Sequence, residues 1–124
     1  MPLYPALTYR DPRAAVAFLG KAFGFEELQV HEGPDGSVVH AELRLGDGIV
    51  MLGAAQDSGP MSGLGPAVVY AVVEDPDAHH ARAAAEGAEI VSPVTDMDYG
   101  SREYAARDPE GHLWCFGTYA PAAP

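Results

Sequence analysis

Tyr9-Arg10-Asp11-Pro12-Arg13-Ala14 and Val73-Glu74-Asp75-Pro76-Asp77-Ala78 carry one pattern twice. Each opens an alanine-rich stretch, and each stretch runs into a Gly-X-Glu segment, Gly24-Phe25-Glu26 and Gly87-Ala88-Glu89. A tight turn follows in both halves: Gly46-Asp47-Gly48, then Asp108-Pro109-Glu110-Gly111. A repeat of about 60 residues is longer than a solenoid unit. It predicts two copies of one small module closing around a shared space, module 1 over about 1–55 and module 2 over about 66–120, within one domain of 124 residues.

Working outward, Leu3 to Tyr9 reads as a strand. Asp11 caps a helix that starts at Pro12, where a missing N–H costs nothing. Ala14, Ala15, Val16, Phe18, Leu19, Ala22 and Phe23 give it an apolar face, and Gly24 ends it. Phe25 to His31 is a strand. Val38 to Leu45 and Ile49 to Gly53 form a hairpin about Asp47-Gly48. Ala54 to Gly65, rich in glycine and serine, reads as the linker between modules, and part of it could fold over a ligand. The order then repeats: a strand over Ala67 to Val73, a helix from Pro76 to Glu86, a strand over Ala88 to Val91 broken near Pro93, and a second hairpin from Arg102 to Arg107 and Leu113 to Tyr119. The order βαβββ, twice, predicts an α+β architecture with helices on one face of the sheets.

Composition narrows the function. Seven basic against eighteen acidic residues give a net charge of −11. That field repels phosphate backbones, so no nucleic-acid partner is expected, and it attracts cationic small molecules. Cys115 is the single cysteine, which excludes an intrachain disulfide. No apolar run has bilayer-spanning length and no basic-then-apolar leader opens the chain, so the expectation is a cytoplasmic protein with no membrane partner.

The Asp-Pro helix start leading to Phe23-Gly24-Phe25, and Arg107-Asp108-Pro109-Glu110-Gly111-His112 before the last strand, resemble the vicinal oxygen chelate superfamily. Its members include glyoxalase I, bleomycin-resistance proteins, fosfomycin-resistance enzymes and extradiol dioxygenases. Arg102-Glu103-Tyr104-Ala105 is most similar to the bleomycin-resistance and general glyoxalase-like members. The resemblance implies paired βαβββ modules forming a curved, barrel-like sheet around a cleft, commonly in a homodimer. It also implies, for the metal enzymes, ligands on the first and fourth strands of each module. Those positions map to about Pro5, Met51, about Val68 and Cys115. Proline and valine have no donor, methionine suits soft metals, and one thiol is too few. No metal and no cofactor are therefore expected.

In the first hairpin, a loop at Asp47-Gly48 pairs Leu45 with Val50 and Leu43 with Leu52. Alternation then gives one apolar face (Val39, Ala41, Leu43, Leu45, Val50, Leu52) that packs on the helices, and a second face of His40, Glu42, Arg44 and Met51. The resemblance directs Met51 into the cleft, and His40, Glu42 and Arg44 go with it. Two readings stay open: an ordinary solvated sheet face, or a polar wall that binds a ligand, with His40 beside Glu42 able to accept a proton. In the second hairpin a five-residue loop, Asp108 to His112, places Tyr104, Ala106, Trp114 and Phe116 in the core and Glu103, Ala105, Leu113 and Cys115 on the cleft face. A four-residue loop reverses Glu103 and is disfavoured because it buries an unpaired charge. Glu103 is then a counter-ion for a cationic ligand, and Tyr99 beside Gly100 either covers a planar ligand or packs on the core.

The expected function is metal-independent binding of a small molecule, with sequestration of a toxic or antibiotic compound as its most specific form. The alternative is an enzyme, a lyase or isomerase using His40, Glu42 or Glu103 as acid or base, with or without a divalent ion. The expected ligand-binding residues are His40, Glu42, Arg44, Met51, Tyr99, Glu103 and Cys115.

Overall fold

The computed structural model describes residues 2–122. In chain order the elements are β1 (Ala6–Tyr9), α1 (Pro12–Phe23), β2 (Glu26–Glu32), β3 (Val38–Leu45), β4 (Gly48–Ala54), β5 (Val68–Val72), α2 (Pro76–Ala85), β6 (Glu89–Asp96), β7 (Arg102–Arg107) and β8 (Leu113–Gly117). The βαβββ order occurs twice, as the repeat predicts. Each module is a four-stranded mixed sheet, β1-β4-β3-β2 and β5-β8-β7-β6. In each, the first strand runs parallel to the fourth and the other pairs are antiparallel. The two sheets are separate and do not close into a barrel.

The helix starts follow the sequence. The carboxylates of Asp11 and Asp75 accept the backbone N–H of Ala14 and Ala78, each at 3.1 Å, three residues into their helices. Gly24 ends α1 at a φ of 84°, a left-handed conformation that suits glycine.

The inner faces of both sheets belong to one core. Leu7, Ala41, Leu43 and Leu52 from the first sheet, Leu19 and Phe23 from α1, and Tyr104, Trp114 and Phe116 from the second sheet form a single buried cluster. The end of α1 crosses between modules: the Phe23 ring lies 4.8 Å from Phe116, and Phe25 meets Trp114 edge-on at 5.3 Å. Arg82 on α2 donates to the carbonyls of Gly20 and Lys21 at the end of α1, at 2.9 and 2.8 Å, where a cation also suits the helix dipole. Both helices pack against this shared core, so the other face of each sheet lies outside it.

A second tie sits at the Asp108 turn. The Asp108 carboxylate accepts the Tyr9 hydroxyl at 2.6 Å, the Trp114 indole N–H at 3.1 Å, and the backbone N–H of Glu110 and His112. His112 donates from Nε2 to the Thr8 carbonyl and accepts the Ala67 N–H at Nδ1, which fixes its tautomer. Glu110 accepts the backbone N–H of Arg10 and Asp11 just before α1. The sequence segment that carries the family resemblance is thus the clamp between modules.

Three sequence expectations need correction. The first hairpin turns at Gly46-Asp47, with Leu45 opposite Gly48, because Gly46 takes the positive φ of 56° that the turn requires and Asp47 does not. Val39 is exposed and Val38 is buried, because a bulge between the His31–His40 and Glu32–Val38 pairs reverses the alternation at the start of β3. β6 does not break at Pro93. It continues to Asp96 as an edge strand, and the pairing shifts once before the proline and once across it.

Candidate functional site: the open faces of the two sheets

The turn correction leaves the faces of the first hairpin unchanged. Moving the loop by one residue changes each pairing by two positions in total, which preserves which side chains share a face. Glu42 stands opposite Met51 and His40 opposite Gly53, while Ala41 and Leu43 pair with Leu52 and Val50 in the core. His40, Glu42, Arg44 and Met51 therefore lie together on the open face of the first sheet. Nε2 of His40 is 3.1 Å from the Glu42 carboxylate, and both side chains are half-buried. The His31 ring stands 5.7 Å from that of His40 and is tied to Gln29 at 2.8 Å. Arg44 pairs with Glu26 at 2.7 Å on an exposed strand edge. A solvated pair of this kind adds little stability.

The second hairpin has the five-residue loop. Arg107 pairs with Leu113, Ala105 with Cys115 and Glu103 with Gly117. Tyr104, Ala106, Trp114 and Phe116 are buried, so Glu103, Ala105, Leu113 and Cys115 face out of the core. Tyr99 donates its hydroxyl to Glu103 at 2.7 Å, and that bond pushes the hydroxyl pKa up to about 12. Burial and the nearby Glu103 push the Cys115 thiol up, so it is a poor nucleophile near neutral pH. His112 lies inward on the Thr8 carbonyl and Ala67 N–H, away from Cys115.

The seven expected residues thus form two groups, four on the first sheet and Tyr99, Glu103 and Cys115 on the second. Among the described residues no hydrogen bond or ion pair joins the groups, and the shared core lies between them. A crevice of about 800 Å³ opens between Leu3, Pro5, Leu45 and Ile49 of module 1 and Val69 to Glu74 of module 2, and it reaches Tyr70 on the second sheet. None of the seven residues lines it.

The structure also adds residues that the sequence reading missed. The strand neighbour of Cys115 is Tyr70, and that of Met51 is Ala6. Parallel neighbours share a face, so these replace Val68 and Pro5 as the first-strand positions beside the fourth-strand ones. Tyr70 donates to the Tyr119 carbonyl at 2.7 Å, and the Tyr119 ring stands edge-on to Tyr99 at 5.9 Å. Gly117 makes room for them: a Cβ there would collide with Glu103 Cγ and stand 2.7 Å from the Tyr70 hydroxyl. A glycine inside a strand often marks such a close approach, and that was the available signal.

Ala6, Met51, Tyr70 and Cys115 do not fit a hard divalent ion, which takes His, Asp or Glu donors. Among the described residues no three His, Cys, Asp or Glu side chains converge on one point. No described helix is long and apolar enough to cross a membrane.

The model of the glyoxalase/bleomycin resistance protein/dioxygenase superfamily matches residues 3–116. The chain belongs to that superfamily. It is 36% identical over 123 residues to an uncharacterized protein of Mycobacterium bovis, covering 93% of this chain and 81% of that one. Its fold superposes on TioX from Micromonospora sp. ML1 with a TM-score of 0.80 and 38% identity, over the full length of both chains. Lactoylglutathione lyase from Agrobacterium tumefaciens shares the fold at a TM-score of 0.73 and 22% identity, over 95% of this chain and 92% of that one. Superfamily membership fixes the scaffold; the chemistry is set by the side chains on the open faces.

Proposed function

We propose that this chain is a metal-independent binding protein for small organic molecules, of the glyoxalase/bleomycin resistance type, acting as a homodimer. Sequestration of a toxic or antibiotic compound is the most specific form of that function. One observation carries the reading. Beside the fourth-strand residues Met51 and Cys115, the first strands present Ala6 and Tyr70, a set suited to contacting organic surface and unsuited to gripping a cation through oxygen and nitrogen. Homodimerisation is supported by the placement of the two groups. Each sheet keeps its outer face open, and a second copy can set its Tyr99–Glu103–Cys115 face against the His40–Glu42–Met51 face of the first. The two half-sites would then form one cleft.

The test is isothermal titration of metal-stripped protein, in the presence of a chelator, with basic glycopeptide antibiotics and planar aromatic cations. Saturable heat with one of them, unchanged on adding divalent metal, is the expected result. The absence of saturable heat with every glycopeptide counts against the antibiotic form.

The second reading, a lyase or isomerase, is favoured by the 3.1 Å contact of His40 with Glu42. A neutral imidazole oriented by a carboxylate can take a proton from carbon next to a carbonyl. In that case His40→Gln abolishes turnover and leaves ligand binding in place.

A further inference from the structure

We infer that the open face of the second sheet receives an alkylated ammonium group, a quaternary or methylated amine borne on the ligand, seated against Glu103 in the corner formed by Tyr70, Tyr99 and Tyr119. The inference rests on the small-molecule reading above and names the chemical class that this half of the cleft selects.

The corner is built from the backbone outward. The five-residue loop sets Glu103 opposite Gly117, and the missing Cβ of Gly117 lets the Glu103 stem and the Tyr70 hydroxyl lie over the strand. Tyr70 is anchored there by its bond to the Tyr119 carbonyl. Tyr99 and Tyr119 meet at an interplanar angle of 84°, so their ring faces look in perpendicular directions, and the two side chains are 59% and 50% exposed. Two ring faces at right angles beside a carboxylate form the sort of corner that binds a cation through its charge and its C–H surface together.

Charge pairing around Glu103 supports the same conclusion. Its chain neighbour Arg102 is fully engaged elsewhere, forked onto Asp77 at 2.8 and 2.9 Å and bonded to Asp96 at 2.9 Å. Among the described residues, no Lys, Arg or His pairs with Glu103, and Tyr99 is its one hydrogen-bond donor. The carboxylate thus lies among aromatic rings without a counter-ion, on a chain of net charge −11.

The ring faces decide which cation fits. The hydroxyls of Tyr70 and Tyr99 spend their protons on the Tyr119 carbonyl and on Glu103, and their oxygens keep acceptor lone pairs. The exposed rings of Tyr99 and Tyr119 add aromatic surface that suits C–H groups, which a methylated ammonium carries around its charge. A primary ammonium has three N–H donors and is strongly hydrated. A methylated ammonium has few or none and is weakly hydrated, so it loses less on leaving water.

The experiment is a titration of the full chain with choline and with 3,3-dimethyl-1-butanol, its uncharged isostere, followed by the tyrosine ring resonances in NMR spectra. Choline should shift the rings of Tyr70, Tyr99 and Tyr119 saturably, with an affinity on the order of tenfold above that of the isostere. Glu103→Gln and Tyr99→Leu should each weaken choline on the order of tenfold. The Tyr99 variant lies on an exposed loop and should keep the parent melting curve. Equal affinities for the two probes, or saturable shifts confined to other residues, would overturn the inference. Neutral planar compounds run in parallel separate the two levels. If they bind the open face and choline does not, the ammonium assignment falls and the small-molecule reading stands; if no probe binds, both fall.

Discussion

The Asp108 carboxylate is 5% exposed and accepts from four donors, two of them side chains and one of those from the far end of the sequence. Removing it strands the Tyr9 hydroxyl and the Trp114 indole N–H in the core. Asp108→Ala should therefore lower the unfolding free energy by about 3 kcal/mol, while Tyr9→Phe, which removes one donor, should cost about 1.5 kcal/mol. Urea denaturation measures both, and a loss below about 0.5 kcal/mol for Asp108→Ala would show that the clamp is incidental. His79 makes a second prediction. Its Nε2–H donates to the Phe23 carbonyl at 2.8 Å, and its other nitrogen accepts the Tyr104 hydroxyl, so the ring is held neutral; burial lowers its pKa below the ordinary 6.5. The unfolded chain then binds the proton more readily than the folded one. The contribution of His79 is full above pH 6.5 and is lost as the pH falls from there through the folded-state value. Melting temperatures between pH 7.5 and 5 should fall more steeply for the parent than for His79→Gln; parallel slopes would contradict this. Neither residue's role was legible beforehand. Asp108 reads as a turn residue and His79 falls within the stretch read as a helix from Pro76 to Glu86, and their partners lie far away in sequence, at distances about which alternation says nothing.

At the scale of elements, local chemistry was legible and irregularity was not. The paired Asp-Pro starts gave both helices, and alternation in the second hairpin placed Glu103 and Cys115 on the outer face through the cost of burying a charge. The first hairpin shows how a wrong turn can still give the right faces: Asp47-Gly48 is the commoner loop signal, but Gly46 holds the positive φ, and the slip preserves which residues share a side. Val39 and Pro93 failed for a different reason. Each sits at a bulge, where one extra residue reverses or suspends the alternation that a sequence reading extends. Tyr70 and Tyr119 were missed because their place beside Glu103 depends on the parallel pairing of β5 with β8 and on the room left at Gly117. The junction of α1 with α2 gives the test at this scale. Gly24 combines a φ of 84° with the Arg82 guanidinium 3.2 Å from where a Cβ would stand. Gly24→Ala should cost about 1–2 kcal/mol in chemical denaturation, from left-handed strain plus displacement of Arg82 from its two carbonyls. An unchanged midpoint would mean that the helix end relaxes freely.

Across the whole molecule, the repeat predicted the doubled βαβββ order, but not how the two copies face. The shared core takes the inner face of both sheets and leaves the two candidate half-sites on the open faces, and in the proposed homodimer a second chain completes the cleft. Sedimentation equilibrium should give twice the 13.0 kDa chain mass. A monomer at micromolar concentration would leave each half-site open and remove the basis for a shared cleft. In the proposed function, Met51 and Cys115, at the positions where the superfamily's metal enzymes hold their ligands, contact an organic molecule instead. Elemental analysis of protein stripped of metal, reloaded with zinc, nickel, manganese or iron, and desalted tests this. Far less than one ion per chain should be retained with any of them; one tightly held ion per chain, lost on substituting Met51 or Cys115, would overturn the metal-independent reading.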